Sequence, residues 1–387
     1  MGEIRSQSVT RMCTRCIMDT SDPDIEFDAQ GICSHCRIYD AAMAGEPSDA
    51  KLREAELNRR LEAIRHDGKG KRWDCVVGVS GGVDSTYVVL LAKQLGLRPL
   101  AVHLDNGWDS EIAVGNIQRA LDTLGVELVT IVLDWEEFRD LQVAFLRAST
   151  PDSEIPSDHA IFSVVLHTAW KKGIAHLVLG HNKATELILP PAWSQGAFDW
   201  RYIRSVHRRF GTRPLKSFPH LDFGHYVRYR LWGGRQIFNI LNYIDYSREA
   251  AITKIQHELG WRDYGGKHHE SVYTRFFQSH ILPRKFGFDK RRAHLSNRVL
   301  AGQISREKAL AEIAKPPYAS PELEADDRIY VIKKLGLSEA EFDAIMHAPR
   351  RRYADYPNMM NSRFYLTVRD IYRSTRSISQ RLRNSVT

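Results

Sequence analysis

The stretch Cys75-Val-Val-Gly-Val-Ser-Gly-Gly-Val-Asp-Ser-Thr-Tyr-Val-Val89 decides the fold of this chain. It begins with an apolar run that is typical of a buried strand, turns at Gly81 and Gly82, and continues with residues that can start a helix. Such a turn aims backbone N–H groups and the positive end of a helix dipole at one anion, and we expect the hydroxyls of Ser80 and Ser85 beside it. The stretch therefore predicts an anion-binding loop between a strand and a helix.

Apolar runs and helical patterns alternate on both sides of this loop. Runs with β-strand character lie at 74–79, 99–104, 127–133 and 176–180, with helical patterns near 84–96, 110–124 and 158–172. Strands that alternate with helices predict an α/β fold with a doubly wound parallel sheet. In such a sheet, ligands bind at the carboxyl ends of the strands, which is where the loop would lie.

The chain divides into three predicted regions. Residues 1–66 hold paired cysteines and a charged helix, and residues 67–300 hold the sheet and a basic stretch. Residues 301–387 contain two predicted helices, near 305–315 and 321–348, and a basic amphipathic tail. No apolar run approaches the roughly 18 residues of a membrane span, and the first residues lack the apolar segment of a secretory signal. We therefore expect a cytoplasmic protein.

Four of the five cysteines form two pairs, Cys13-x2-Cys16 and Cys33-x2-Cys36. This spacing is typical of sites in which four thiolates hold one zinc ion at tetrahedral geometry. Because four protein ligands leave no open coordination position, the zinc is predicted to be structural. The alternative is unrelated or disulfide-bonded cysteines, which a cytoplasmic location disfavours. Cys75 lies in an apolar run and is predicted to be buried.

The net charge of +8 arises from one stretch. Residues 201–300 contain 20 lysines and arginines against 7 aspartates and glutamates, and the rest of the chain is net negative. A basic stretch interleaved with aromatic residues favours an anionic partner, either nucleic acid or a nucleotide-activated sugar. A solvated basic face is the third interpretation.

The loop resembles the signature of the PP-loop ATP pyrophosphatases. It is not a Walker A motif, because no Gly-Lys-Ser/Thr follows, and it lacks the glycine spacing of dinucleotide-binding folds. Members of the superfamily, such as GMP synthetase, NAD synthetase and several tRNA-modifying enzymes, cleave ATP between the α- and β-phosphates and transfer AMP to a substrate oxygen. The resemblance implies that ATP is bound by Ser80, Gly81, Gly82, Val83, Asp84 and Ser85.

The resemblance also assigns residues to magnesium and to the rest of the nucleotide. It implies that Asp84 and Glu186 hold Mg²⁺ and act in catalysis, although Glu186 could instead only complement a helix N-terminus. Lys267 would clamp the β-phosphate or the pyrophosphate and take part in catalysis. The nucleotide would further contact His103, Asp105, Asn106, Gly180, His181 and Lys267.

The whole-chain pattern is similar to the N-acetyl sugar amidotransferases of the WbpG/PseA type. The similarity covers roughly residues 12–310 and includes the paired cysteines, the loop, the segment that begins Pro156-Ser-Asp-His and the segment Tyr264-Gly-Gly-Lys-His-His-Glu-Ser271. It implies an ATP-dependent conversion of an acetamido group on a nucleotide-activated sugar into an acetamidino group, for a surface polysaccharide or a flagellar glycan.

Charged residues near the end of the basic stretch are candidate ligands of that sugar nucleotide. They are Glu270, Arg275, Lys285, Lys290 and Arg291. For each cation, a solvated surface charge is the alternative. His159 precedes an apolar helix and is a catalytic candidate that would contact the sugar or transfer a proton, and a helix N-terminal cap is its other interpretation.

The ammonia for such a reaction has to come from elsewhere, because residue 2 is glycine and Cys75 is the one cysteine outside the zinc motif. The sequence therefore implies a separate glutaminase subunit, and the resemblance adds a cyclase-like companion. The expected cofactors are ATP, Mg²⁺ and a structural Zn²⁺.

Two other functions stay open at this point. A tRNA-modifying enzyme of the thiolase or lysidine synthetase type also combines a PP-loop with zinc knuckles, and the basic stretch could hold RNA phosphates. Thiolation generally needs a further cysteine, so a nucleic-acid partner is disfavoured. A zinc-containing adaptor that senses ATP without catalysis is disfavoured by the intact loop and by Lys267.

Overall fold

The computed structural model describes residues 11–45, 49–229, 234–266, 269–363 and 365–367. The predicted α/β class is confirmed, because five parallel strands form one sheet with helices between them. Within the described ranges, no helix has the length and apolar character needed to cross a membrane.

The sheet reverses its winding direction at its central strand. The strands are β1 (Cys75–Gly78), β2 (Pro99–Asp105), β3 (Leu128–Val132), β4 (His176–Leu179) and β5 (Gln236–Asn239), in the order β3-β2-β1-β4-β5. The first four strands confirm the predicted runs. Because β1 pairs with β2 on one side and β4 on the other, a crevice forms at the carboxyl ends of β1 and β4, where doubly wound sheets bind ligands.

The helices of the described ranges surround the sheet and extend beyond it. Those before β4 are α1 (Ser34–Ala44), α2 (Ala50–Asp67), α3 (Val83–Gln94), α4 (Glu111–Leu124), α5 (Trp135–Ala148) and α6 (Ile155–Lys171). Those after β4 are α7 (Lys183–Glu186), α8 (Trp200–Phe210), α9 (Phe223–Val227), α10 (Arg248–Leu259), α11 (Val272–Phe276), α12 (Arg291–Leu300), α13 (Arg306–Ile313), α14 (Pro321–Leu335) and α15 (Glu339–His347). A π-helix, Phe277–Phe286, continues α11, and short 3₁₀ turns lie at Ile240–Tyr243 and Tyr353–Asp355.

One predicted helix, 321–348, is two helices in the structure. Gly336 ends α14 with a φ of 69°, a left-handed conformation that glycine adopts readily. Ser338 then starts α15 with a capping box, in which its side chain accepts from the Glu341 N–H and the Glu341 side chain binds the Ser338 backbone. The sequence therefore specifies a sharp bend within the predicted helix.

Both faces of the central strand are covered by apolar side chains. Val76 belongs to one hydrophobic cluster, whereas its neighbours Cys75 and Val77 belong to another. Successive side chains of a strand point to opposite faces, so each face of the sheet packs against its own layer. Cys75 is fully buried, as predicted.

The residues before the sheet pack against the residues after it. Arg306 of α13 donates to the carbonyl oxygens of Cys13 and Cys16 at 2.9 and 3.0 Å, and the Ile17 N–H donates to Ser296 Oγ of α12 at 3.2 Å. The largest hydrophobic cluster includes the four paired cysteines as well as Tyr356. The predicted boundaries near 66 and 300 stay predictions, and the three regions share one core.

Candidate active site

A cleft of about 580 Å³ opens at the carboxyl ends of β1 and β4. The loop between β1 and α3 forms one side, and α6, α7 and the segment before α11 contribute the others. The predicted residues that line it are Ser80, Gly82, Val83, Asp84, Ser85, His103, Asn106, Gly180, His181, Glu186, Glu270 and Lys290. The fold therefore brings together candidates from widely separated parts of the sequence.

The loop has a shape that two glycines make possible. Gly81 has a φ of 76°, and a Cβ atom there would lie 2.4 Å from the carbonyl oxygen of Ala113. Gly82 is the N-cap of α3 and caps it with no side chain, and a Cβ there would lie 3.1 Å from Glu270 Oε1. The Ser80 and Ser85 hydroxyl oxygens are 3.2 Å apart. The helix N-terminus thus keeps N–H groups available to an anion, as predicted for this loop.

Asp84 lies in the first turn of α3 and faces residues from two other parts of the chain. Tyr246 donates its hydroxyl to Asp84 Oδ1, and burial together with this carboxylate raises the pKa of Tyr246. A Cβ at Gly180 would lie 3.2 Å from the Asp84 carbonyl carbon, so the missing side chain lets β4 end close to the loop. Arg248 also lines the cleft. Its positive charge offsets part of the rise in the pKa of Tyr246 and Tyr264.

Glu186 lies at the start of a helix, as one interpretation expected, and it also lines the cleft, where its role toward Mg²⁺ stays a prediction. Its Oε2 lies 2.7 Å from Nδ1 of His181, and it also accepts from the Asn182 N–H at 3.3 Å at the start of α7. The carboxylate therefore stabilises the first turn of a helix and still lines the cleft. A neighbouring histidine fixes its orientation.

The residues at the end of β2 are held by local hydrogen bonds. His103 donates from Nδ1 to the Val79 carbonyl at 2.9 Å, and its Nε2 lies 3.4 Å from Asp109 Oδ2. Burial lowers the pKa of His103, but Asp109 and the carbonyl outweigh it and raise the pKa above its ordinary value. Asn106 donates to Ser157 Oγ at 3.3 Å. Asp105 accepts from the Gly107 N–H at 2.8 Å and is not among the residues that line the cleft.

A cluster of carboxylates around Lys290 contributes another part of the cleft lining. Lys290 Nζ lies 3.5 Å from Glu154 Oε2, and Asp152 and Asp158 lie near the same ammonium. Burial lowers the pKa of Lys290, but the three carboxylates outweigh it and raise the pKa. Asp158 is open to the water in the cleft, yet the surrounding protein and the carboxylates of Asp152 and Glu154 raise its pKa. A bound ligand that displaces this water would raise the pKa further.

Most residues of this cluster were not predicted from the sequence. Asp152 and Glu154 stand just before the Pro156-Ser-Asp-His segment, in a stretch that is buried. Acidic residues directly before an apolar helix are a signal that could have identified them. Tyr246 and Arg248 were also missed, and they belong to no motif that the sequence displays.

Three of the predicted substrate ligands are structural instead. Arg275 forms a two-pronged ion pair with Asp327 of α14 at 2.7 and 2.8 Å. The buried ammonium of Lys285 donates to the Ile345 carbonyl, and Arg291 binds Asp289 and the Lys315 carbonyl. These three cations hold the C-terminal helices in place and do not line the cleft.

The other two predicted substrate ligands, Glu270 and Lys290, line the cleft. Glu270 stands beside Gly82 of the loop, and burial together with its carboxylate raises the pKa of Tyr264. Lys290 belongs to the carboxylate cluster described above. Lys267, the predicted phosphate clamp, lies outside the described residues.

His159 is a structural histidine and does not line the cleft. Its Nδ1 donates to the Ala197 carbonyl at 2.8 Å, and its Nε2 accepts from the Leu221 N–H at 3.0 Å. Its ring stacks against Trp200 at 5.7 Å between centroids. Because both ring nitrogens are occupied, the structure corrects the catalytic assignment, and His159 does not cap a helix with its side chain either.

The burial of His159 predicts a pH-dependent stability. Burial lowers its pKa from 6.5 to about 4, since protonation would place a second N–H against the Leu221 amide. The folded state then binds this proton more weakly than the unfolded chain, so stability is lost as the pH falls from 6.5 to 4. The expected loss is about 3 kcal/mol in the free energy of unfolding. Denaturant unfolding at pH 7.5 and pH 4 measures it.

A glutamine at position 159 removes the titration, because its side chain does not ionise. Its carbonyl and amide can still replace both hydrogen bonds of His159. His159→Gln should lose less stability than the natural chain between the two pH values. The same change at the exposed His66 is the matched control and should leave the difference unaltered. Equal pH dependence of His159→Gln and the natural chain would contradict this assignment.

The paired cysteines form a compact group whose geometry fits zinc. The sulfur atoms of Cys13 and Cys36 lie 3.7 Å apart, those of Cys16 and Cys33 3.6 Å, and those of Cys33 and Cys36 3.7 Å. A tetrahedron with zinc–sulfur bonds of about 2.3 Å has edges of about 3.8 Å. Backbone N–H groups also point at the sulfurs, including that of Cys33 to Cys13 Sγ at 3.3 Å. We call this group the zinc knuckle.

Comparisons with known proteins agree with this architecture. Residues 270–369 match the family model described as "LPS biosynthesis protein WbpG-like, C-terminal domain". An uncharacterized protein of Methanocaldococcus jannaschii is 22% identical over 314 residues, which are 79% of this chain and 93% of that protein.

Two enzymes match over shorter segments. A glutamine-hydrolyzing GMP synthase of Pyrobaculum aerophilum is 41% identical over 85 residues, which are 22% of this chain and 16% of the synthase. A tRNA-specific 2-thiouridylase of Alkaliphilus oremlandii is 28% identical over 145 residues, which are 34% of this chain and 37% of that enzyme. The chain thus matches well under half the length of either enzyme. The chain is thus similar to the WbpG-like family over residues 270–369, and to a GMP synthase and a tRNA thiouridylase over segments of 85 and 145 residues.

Proposed function

We propose that this chain is an ATP-dependent amidotransferase that converts the acetamido group of a nucleotide-activated N-acetyl sugar into an acetamidino group. One observation carries the proposal: an anion-binding loop and the carboxylates of Glu154 and Asp158 line the same cleft. The loop suits the pyrophosphate of ATP, and the carboxylates suit a reaction that has to move protons from nitrogen. The product would serve a surface polysaccharide or a flagellar glycan.

The reaction has two steps: adenylation of the acetamido oxygen, and then displacement of AMP by ammonia. The acetamido oxygen attacks the α-phosphorus of ATP and pyrophosphate leaves, which gives an O-adenylyl imidate. Ammonia then adds to the imidate carbon, and AMP leaves with the oxygen. The N–H groups at the start of α3, together with Arg248, would offset the charge that develops on the leaving pyrophosphate.

Asp158 is our candidate base for the second step. The nitrogen that adds to the imidate carbon has to give up a proton before the amidine is complete, and Asp158 Oδ would accept it. The raised pKa of Asp158 lies closer to pH 7 than the pKa of an ordinary aspartate. The group can therefore accept and release a proton near pH 7. Lys290, whose ammonium lies 3.5 Å from Glu154 Oε2, would hold that neighbouring side chain in position.

Mg²⁺ fits the donors on the loop side of the cleft. Asp84 and Glu186 both line it with carboxylate oxygens, and Mg²⁺ usually binds through one or two carboxylates plus substrate phosphates. When bound, the ion would neutralise part of the phosphate charge. Lys267 stays a prediction for the same task.

The ammonia would come from a separate glutaminase subunit, with a cyclase-like companion. Glutamine hydrolysis commonly uses an accessible cysteine thiolate. Cys75 is fully buried, and burial raises the pKa of its thiol. The other four cysteines are gathered in the zinc knuckle. None of them suits attack on glutamine.

The purified chain should therefore form the amidine from ammonium salts at high pH and not from glutamine. The test incubates it with ATP, either nitrogen source and a panel of nucleotide-activated N-acetyl sugars, and records product mass. Amidine formation lowers the mass by the difference between an oxygen atom and an NH group. Addition of the cognate glutaminase should confer glutamine dependence. Cys75→Ala is the control and should keep ammonium-driven activity.

Two outcomes would contradict this account. Glutamine-driven amidine formation by the purified chain alone would show that the ammonia source is misassigned. Pyrophosphate release that responds to unmodified tRNA, and to none of the sugars, would replace the amidotransferase with the tRNA-modifying alternative.

A further inference from the structure

A second cavity, of about 1150 Å³, adjoins the cleft. Phe162 of α6 lines both cavities, and its ring packs edge-on against Phe198 with 4.9 Å between the centroids. One pair of aromatic rings therefore separates the two spaces. We refer to the second space as the arginine pocket.

Arginines of α8 dominate the charge of this pocket. Arg201, Arg204 and Arg208 recur at helical spacing and so share one face of α8, and Arg209 follows. All four are exposed, and no carboxylate of the described ranges forms an ion pair with them. Arginines that are held on a rigid helix without carboxylate partners favour a ligand that carries phosphates.

The acidic residues of the pocket are already engaged. Asp199 caps α8 through the Tyr202 N–H and accepts from the hydroxyl of Tyr353. Asp222 caps α9 and lies 2.8 Å from His225 Nδ1. Both carboxylates are thus occupied by the protein itself, and the net charge that the pocket offers is positive.

Exposed apolar side chains lie beside these arginines. Phe198 is 67% exposed, Phe223 60% and Met359 40%, and all three line the pocket. Aromatic rings next to arginines are the combination that binds a base together with its phosphates. A water-exposed polar surface alone would not collect three large apolar side chains.

We infer that the arginine pocket binds the nucleoside diphosphate part of the sugar substrate. The arginines would contact the two phosphates and the aromatic rings the base, while the sugar passes the Phe162–Phe198 pair to bring its acetamido group to ATP. This inference rests on the proposed function, and it explains why α8 carries four arginines that form no ion pair with a carboxylate of the described ranges.

The test titrates the full-length chain with uridine diphosphate, thymidine diphosphate and guanosine diphosphate by calorimetry. At least one should bind. Replacement of two arginines, Arg204→Ala with Arg208→Ala, should weaken that binding at least tenfold. In the amidine assay the same variant should raise KM for the sugar nucleotide at least tenfold and leave KM for ATP unchanged. Lys308→Ala with Lys333→Ala removes equal charge from exposed sites and should change neither.

The possible outcomes separate this inference from the proposed function. Amidine formation with an unaltered KM in the double arginine variant would overturn the pocket and leave the amidotransferase standing. Arginine-dependent diphosphate binding without any amidine product would support the pocket and remove the amidotransferase. Absence of diphosphate binding, or variants that lose only RNA or protein binding, would overturn the pocket.

Discussion

Replacing Asp84 with alanine is expected to lower ATP consumption by about 10²–10³-fold or more and to leave the fold intact. The carboxylate lies in the first turn of α3, next to the N–H groups that would hold pyrophosphate. Asp84 is the acidic residue of the loop, and it lines the cleft. Among the described residues, the Tyr246 hydroxyl donates to this carboxylate, and Asp84 belongs to none of the hydrophobic clusters. Pyrophosphate release and the thermal midpoint measure the two effects.

Two companion variants make the Asp84 result specific. Tyr246→Phe keeps the carboxylate and removes its hydrogen bond, so a smaller loss is expected. Asp122→Ala removes an equal charge from the exposed end of α4 and should retain full turnover. Near-normal turnover in Asp84→Ala would refute the assignment of Asp84 to phosphate and metal binding.

Replacing Cys13 or Cys36 with serine is expected to remove the zinc and much of the stability. Structural zinc sites bind with apparent free energies of roughly 10–16 kcal/mol at neutral pH, and in small domains this energy is folding energy. The loss should extend beyond the knuckle, because Arg306 and Ser296 hold it against α12 and α13. Metal analysis and thermal unfolding measure the outcome.

The matched control is Cys75→Ala. Cys75 is as buried as the four paired cysteines but lies in β1, so its replacement should leave one zinc per chain. Carefully prepared natural protein without zinc would disprove the metal assignment. So would a serine variant that keeps its metal and its thermal midpoint.

Local patterns predicted the centre of the fold well. The β1–loop–α3 segment and the cysteine pairs are readable because their meaning depends on neighbours within a few residues. β5 (Gln236–Asn239) was not predicted, because two exposed residues, one buried residue and one half-buried residue carry no periodic signal. These residues gain their strand conformation from pairing with β4. Helix α5 was not predicted from the sequence either, although many of its side chains are buried.

The roles of single charged residues could not be predicted in the same way. Arg275 is a structural residue because Asp327 lies opposite, and Lys285 because the Ile345 carbonyl does. Both partners are distant in sequence, and a basic stretch looks the same whether its cations bind protein or substrate. His159 is similar, since the Leu221 amide that occupies its Nε2 comes from an irregular segment.

The docking of the zinc knuckle has a consequence for how the protein is made. Its cysteines lie in the first 36 residues, but the surface that receives it lies on α12 and α13, and the contact between Ile17 and Ser296 spans 279 residues. During synthesis the knuckle can take up metal before α12 and α13 have been made, and it can dock only after them. The same helix α12 carries Asn297, which binds Ile188 beside α7, so the knuckle and the cleft both depend on contacts between distant parts of the sequence.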